Sequence, residues 1–97
     1  MSKLAIVATI QVAPGRREEY LKFLAAHASR CLKNEPGTLM FEVLLPHGQQ
    51  DTVMLYEVYA SKEAFDAHWN GASMAQVRRE TDGLQVSLKG TRCDLVE

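Results

Sequence analysis

Apolar residues recur along this chain with two different periods, and the switches between them mark its elements. "LAIVATIQV" (Leu4 to Val12) is β-branched and uninterrupted, so it reads as a buried strand. "APG" breaks it. From Arg16 the apolar positions become Tyr20, Phe23, Leu24, His27, Ala28 and Cys31, the spacing of one helix face, with Glu18, Glu19, Lys22 and Arg30 largely elsewhere. "NEPG" stops this helix, because proline cannot continue it and glycine tolerates the left-handed geometry of a helix end.

The period then returns to that of strands. "TLMFEVLL" and "TVMLYEVYA" flank the polar "PHGQQD", which predicts an antiparallel hairpin with His47 exposed in its loop. Ser61 is placed to cap a second helix carrying Ala64, Phe65, His68 and Trp69 on adjoining turns. "NGA" interrupts it, and "SMAQ" predicts a new start with Ser73 as N-cap and Gln76 completing a capping box. After "DG", the segment "LQVSLKGTRCDLVE" supplies a last strand, with Gly90 expected to bulge or kink it. The order is β-α-β-β-α-β: an α+β, ferredoxin-like fold, a four-stranded antiparallel sheet with helices on one face, filling residues 1–97 as one domain.

The strands do not alternate as a half-solvated sheet should. Leu4, Ile6, Ala8, Ile10 and Val12 share one side, yet Ala5 and Val7 lie on the other. Leu39, Phe41 and Val43 are opposed by Met40 and Leu44, and Val53 and Leu55 by Met54, Tyr56 and Val58. Each such large side chain is worth about 1.5–3 kcal/mol on full burial. A second face this apolar calls for a partner, and the economical one is another copy of the chain, as in a dimeric α/β barrel.

Composition narrows the function by exclusion. A hydrophobic share of 46%, a charged share of 24% and a net charge of −1 describe an ordinary globular protein with no electrostatic footprint for nucleic acid. No apolar run reaches the roughly 20 residues that span a bilayer, and "MSKLAIVATIQV" lacks a signal peptide's apolar region and cleavage site. Cys31 and Cys93 make no disulfide framework, so a reduced, cytoplasmic protein is expected.

Chemistry concentrates in "YEVYASKEAFDAHW" (Tyr56 to Trp69). His68, between Phe65 and Trp69, is either a core-edge histidine bonded to backbone or a base in an apolar pocket. Glu57 breaks the apolar run of its strand. An edge position explains that, and so does an inward carboxylate that fixes the tautomer of His68. Alternation places it with Val53, Leu55 and Tyr59 without saying which face that is. His27 and Cys31 offer two ligand atoms at i, i+4, but no third comes with fitting spacing, so no metal is expected and His27 reads as a core or pocket-lining group. Aromatic residues, among them Phe41, Tyr56, Phe65 and Trp69, fill a core or line a flat cavity. No phosphate-binding glycine loop, CxxC, HExxH or GxSxG occurs.

"EPGTLMFEV" (Glu35 to Val43) followed by "LYEVYASKEAFDAH" (Leu55 to His68) resembles the antibiotic biosynthesis monooxygenase domain family, whose members include small quinol monooxygenases and the autoinducer-2 phosphate-processing enzyme. The resemblance implies a ferredoxin-like fold, a homodimer through the sheet and a pocket between sheet and helices. It also implies catalytic roles for Glu57 and His68, in a pocket shaped by Phe65, Trp69, His27, Phe41 and Tyr56. Many relatives carry another histidine five residues after the first, where this chain has Ser73. Haem-degrading relatives carry tryptophan at the position of His68 and a haem-ligating histidine at that of Arg78, so the resemblance does not extend to haem. The implied activity is oxidation of a small electron-rich quinol or polyphenol by dioxygen without metal or flavin. Cofactor-free isomerisation of a small polar metabolite and non-catalytic binding of small aromatics are the alternatives.

Overall fold

The computed structural model describes residues 2–97. Its elements run β1 (Leu4–Val12), α1 (Arg17–Asn34), β2 (Thr38–Leu44), β3 (Thr52–Tyr59), α2 (Lys62–Trp69), α3 (Ala72–Glu80) and β4 (Gln85–Asp94). The strands form one antiparallel sheet in the order β2-β3-β1-β4, the ferredoxin-like arrangement that the periodicities predict. The second helical region is split into α2 and α3.

Register decides which residues meet the helices. Ile10 pairs with Val53, Ala8 with Leu55 and Ile6 with Glu57, so these side chains share a face. On that face Ile6, Ala8, Ile10, Val12, Val53, Leu55 and Tyr59 join Tyr20, Leu24 and Cys31 of α1, Phe65 of α2 and Leu84 in the core. α1 is held by its stripe: Tyr20, Leu24, His27 and Cys31 are buried, and Glu18 and Glu19 complement the helix dipole at its start. The helices lie towards β2 and β3, whereas β4 is exposed along nearly its whole length. That asymmetry leaves one side of the molecule open between β4 and the helical layer.

The opposite face carries an uncovered apolar patch. Val7 (40% accessible), Met40 (42%) and Leu44 (47%) lie on it, with Met54 and Tyr56 half-buried among them. Cys31 and Cys93 are both free, and no helix among the described residues is long and apolar enough to cross a membrane.

Two local expectations are corrected. α3 starts at Ala72 with Gly71 as its N-cap, and Ser73 makes no capping bond. A Cβ at residue 71 would stand 2.8 Å from the Ala67 carbonyl oxygen, so the chain between α2 and α3 passes too close for anything but glycine. Gly90 does not bulge β4. It pairs in register with Ala8, and the irregularity of β4 falls at Val86 instead, where the partner of Gln11 is Ser87 and that of Val12 is Gln85.

Candidate functional site

The site begins where α1 ends. Pro36 disfavours helical geometry for the residue before it, and Glu35 takes an extended conformation, φ −114° and ψ 102°. Its backbone N–H still donates to the Cys31 carbonyl (3.0 Å), and its own carbonyl accepts from the Thr38 N–H (3.0 Å). The Thr38 hydroxyl donates to Glu35 Oε1 at 2.7 Å. A carboxylate is thereby fixed at the mouth of the "EPGT" turn.

α2 brings the imidazole to it. Ser61 caps this helix, its hydroxyl oxygen accepting from the Ala64 N–H at 3.1 Å. Phe65 and His68, one turn apart, are the residues the helix buries. His68 Nδ1 lies 2.8 Å from Glu35 Oε1. Against a carboxylate acceptor, Nδ1 carries a proton and donates, so in the neutral ring it is Nε2 that has the free lone pair. The ring is 3% accessible and is packed by Tyr59, His27, Phe65 and Phe41, with centroids 5.1, 5.7, 6.2 and 6.5 Å away.

Nε2 faces the second acid. Glu57 Oε1 lies 4.0 Å from it, and the Tyr59 hydroxyl donates to the same oxygen. Burial pushes the Glu57 carboxyl above its ordinary range, against the Tyr59 hydrogen bond and the charge of His68, which pull it down. Burial, reinforced by the Glu57 charge, raises the Tyr59 phenol too. Glu57 therefore keeps a proton to higher pH than a solvated glutamate does. One imidazole thus stands between a carboxylate that orients it and a carboxyl with a raised pKa.

A cavity of about 780 Å³ opens onto this group, within the range of small-molecule sites. His68, Glu57 and His27 contribute its polar wall. Phe41, Phe65 and Trp69 are among its aromatic lining, and β4 supplies the far side. Six of the seven site residues expected from sequence therefore meet in one hollow. Tyr56 does not: it follows Leu55 and precedes Glu57 on β3, so the two-residue period turns it to the opposite face of the sheet, opposite Val7 and Glu42. Tyr20 lines the cavity instead, its hydroxyl donating to Gln85 at 2.8 Å.

Sequence reasoning took Glu35 as part of a helix stop and missed its role. The signal was present in the Glu-Pro pair, because a residue held extended before proline projects a side chain that a helical residue would lay along its own helix. A third ligand atom for His27 and Cys31 was missed as well. His68 joins them, with the candidate ligand atoms all within 4.8 Å of one another. The chemistry of that set is hydrogen bonding: His68 Nδ1 is already engaged by Glu35, and burial pushes the Cys31 thiol up to about 12, so it stays protonated. Burial also holds His27 down at about 4, a neutral ring lying against the Ser73 backbone. Residue 73 is a serine, and the imidazole of His27, from α1, stands beside its backbone.

Residues 4–80 match the sequence profile of the family described as antibiotic biosynthesis monooxygenase. The chain belongs to this family. Among solved structures, one from Caulobacter crescentus named for the same family superposes with a TM-score of 0.93 at 23% identity, covering 99% of this chain and 92% of that one. A second, from Nitrosomonas europaea, gives 0.90 at 18% identity, with 97% and 90% covered. A third, from Chloroflexus aurantiacus, gives 0.86 at 22% identity, with 99% and 95% covered. At such identities the likeness is one of fold. No curated protein matches the sequence. Family membership supports a monooxygenase-like function on a small molecule.

Proposed function

We propose that the protein is a cofactor-independent monooxygenase that oxidises a small electron-rich phenol or quinol with dioxygen, using His68 as general base. The observation that carries this reading is the bond from His68 Nδ1 to Glu35, which turns Nε2 towards Glu57 and a cavity of about 780 Å³. A triplet oxidant reacts slowly with closed-shell molecules, and the obstacle eases once the phenol becomes an anion able to give up one electron. The chain supplies the base, an apolar enclosure and orientation.

Nε2 takes the phenolic proton. One electron passes from the anion to dioxygen, and recombination of the radical pair forms a carbon–oxygen bond at the ring. The O–O bond then breaks, with the proton returned by the imidazolium or given by Glu57. One oxygen atom stays on the ring and the other leaves as water, so a quinol plus dioxygen becomes a hydroxyquinone plus water. Phe65 and Trp69, stacked with centroids 6.0 Å apart, and Phe41 hold the ring.

The same reading has the protein act as a cytoplasmic homodimer paired through the uncovered sheet face, where Val7, Met40 and Leu44 lie exposed. A second reading draws on the raised pKa of Glu57: an acid that holds its proton to higher pH than a solvated one, beside an imidazole nitrogen, also suits proton transfer within a small polar metabolite, an isomerisation that uses no oxygen. An oxygen electrode with a panel of small quinols, run under isotopically labelled dioxygen, separates the two. Label in the product supports the oxygenase. Product without oxygen uptake means the isomerase, and neither with any quinol removes the oxygenase proposal.

A further inference from the structure

The cavity has a second polar group, on its β4 side. β4 carries Arg92 directly across from Ile6, which pairs on its other side with Glu57. Glu57, Ile6 and Arg92 therefore form one row across three strands on the helix-facing side. At a strand spacing of about 4.8 Å, the backbones of Glu57 and Arg92 lie roughly 10 Å apart. The Arg92 guanidinium sits over the Phe65 ring at 4.8 Å, and that of Arg78, from α3, over the Trp69 ring at 4.8 Å. Both arginines line the cavity.

Neither has a counter-charge. Among the described residues no carboxylate lies within 4.0 Å of either guanidinium, and Asp82, also on the rim, pairs with neither. Arg78 spends one N–H on the Trp69 carbonyl (3.3 Å). The chain as a whole is slightly acidic, so two unpaired cations at one cavity mouth do not follow from general excess of basic residues. Arginine keeps its charge at any relevant pH, and its planar fork matches the two oxygens of a carboxylate or phosphate. A guanidinium stacked on an aromatic face keeps its N–H edges free for such a partner.

Ile6 lies between Glu57 and Arg92, and beside that row the floor is low. The next row, Leu55–Ala8–Gly90, presents a methyl group and no side chain where it borders the Arg92 side. A Cβ at residue 90 would meet only Ile6 Cγ2, at an ordinary 3.8 Å, and Gly90 is not among the glycines of positive φ. Backbone geometry therefore does not demand a glycine there, whereas room for a flat ring does.

We infer that the substrate is an anionic phenol, an aromatic ring bearing a carboxylate or phosphate, whose hydroxyl reaches His68 while its oxyanion is held by Arg92 and Arg78. This rests on reading the cavity as a substrate site and adds the charge of what enters it. Trp69 is the single tryptophan and lines the cavity, so its fluorescence reports occupancy without turnover. The test titrates 2,5-dihydroxybenzoate, its methyl ester and phenyl phosphate at low salt, with oxygen uptake recorded separately on the two dihydroxy compounds.

The expected result is binding of the acid at least about tenfold tighter than of its ester, the size of one charge-assisted hydrogen bond. That preference shrinks in Arg92→Gln and Arg78→Gln and is partly kept in Arg92→Lys. Phenyl phosphate binding more tightly than the acid assigns the oxyanion as phosphate, and the reverse as carboxylate. Equal affinity for acid and ester, or a preference untouched by both glutamine variants, overturns the inference even if oxygen is consumed. A preference for the acid without oxygen uptake supports it and counts against the oxygenase alone.

Discussion

Glu35 and His68, thirty-three residues apart, meet through a single hydrogen bond of 2.8 Å at Nδ1. Its consequence is directional. With Nδ1 committed to a carboxylate on α1's exit, the ring turns its other nitrogen towards Glu57 and the cavity, the orientation that the proposed role of a base needs.

Glu35 should then act as a positioning residue. Glu35→Gln is expected to lower kcat on an accepted substrate by about 10–100-fold with KM little changed, since a charge-assisted hydrogen bond is worth about 1.5–3 kcal/mol. Nitrogen-15 NMR of the imidazole checks the cause: the Nδ1–H tautomer should dominate in the native protein and lose that dominance in the variant. A full kcat with an unchanged tautomer would leave Glu35 a structural residue only.

His27 predicts a pH dependence of stability. Its pKa falls from 6.5 to about 4, chiefly through burial, then through the charges of His68 and Arg30. Between these values the unfolded chain binds a proton that the folded chain refuses, so stability is lost as pH drops from about 6.5 and the loss is complete near 4. A gap of about 2.5 units corresponds to about 3 kcal/mol. Glu57 has the opposite sign, its raised pKa favouring the folded state as pH falls, and it is common to wild type and His27→Gln. Urea unfolding at pH 7 and pH 4 should show wild type losing about 3 kcal/mol more than His27→Gln. Parallel losses would mean that the imidazole is not held neutral.

The uncovered sheet face makes its own prediction. Val7 lies on a central strand, 40% accessible in the isolated chain. Light scattering should give wild type twice the 10.8 kDa chain mass, and Val7→Lys about one chain mass, with its circular dichroism unchanged. A monomeric wild type would end the dimer proposal.

Much of this architecture was legible beforehand, for physical reasons that differ by element. β1 announces itself as an uninterrupted β-branched run, and α1 because one face is apolar at a clean helical period. The pairing of strands followed from the short polar loop between β2 and β3. Glu57 was legible as an anomaly, a charge within an apolar run, but its face was not, because alternation fixes which residues are together and leaves open which side they take. The same rule turns Tyr56 away from the cavity, and it was missed for want of that one bit of information. Glu35 escaped because its role arises from the turn made by Pro36, a tertiary consequence of a local restriction. Gly90 was read as a backbone device, whereas what matters is the side chain it lacks.

The central claim is that His68 takes the substrate's proton, and the most direct measurement is oxygen uptake by wild type and a folded His68→Ala variant on the best quinol found. The expected result is a fall of about 10²–10⁴-fold in kcat, the usual cost of losing a general base. Trp69 fluorescence should still report binding. Uptake by the variant at the wild-type rate would contradict the claim.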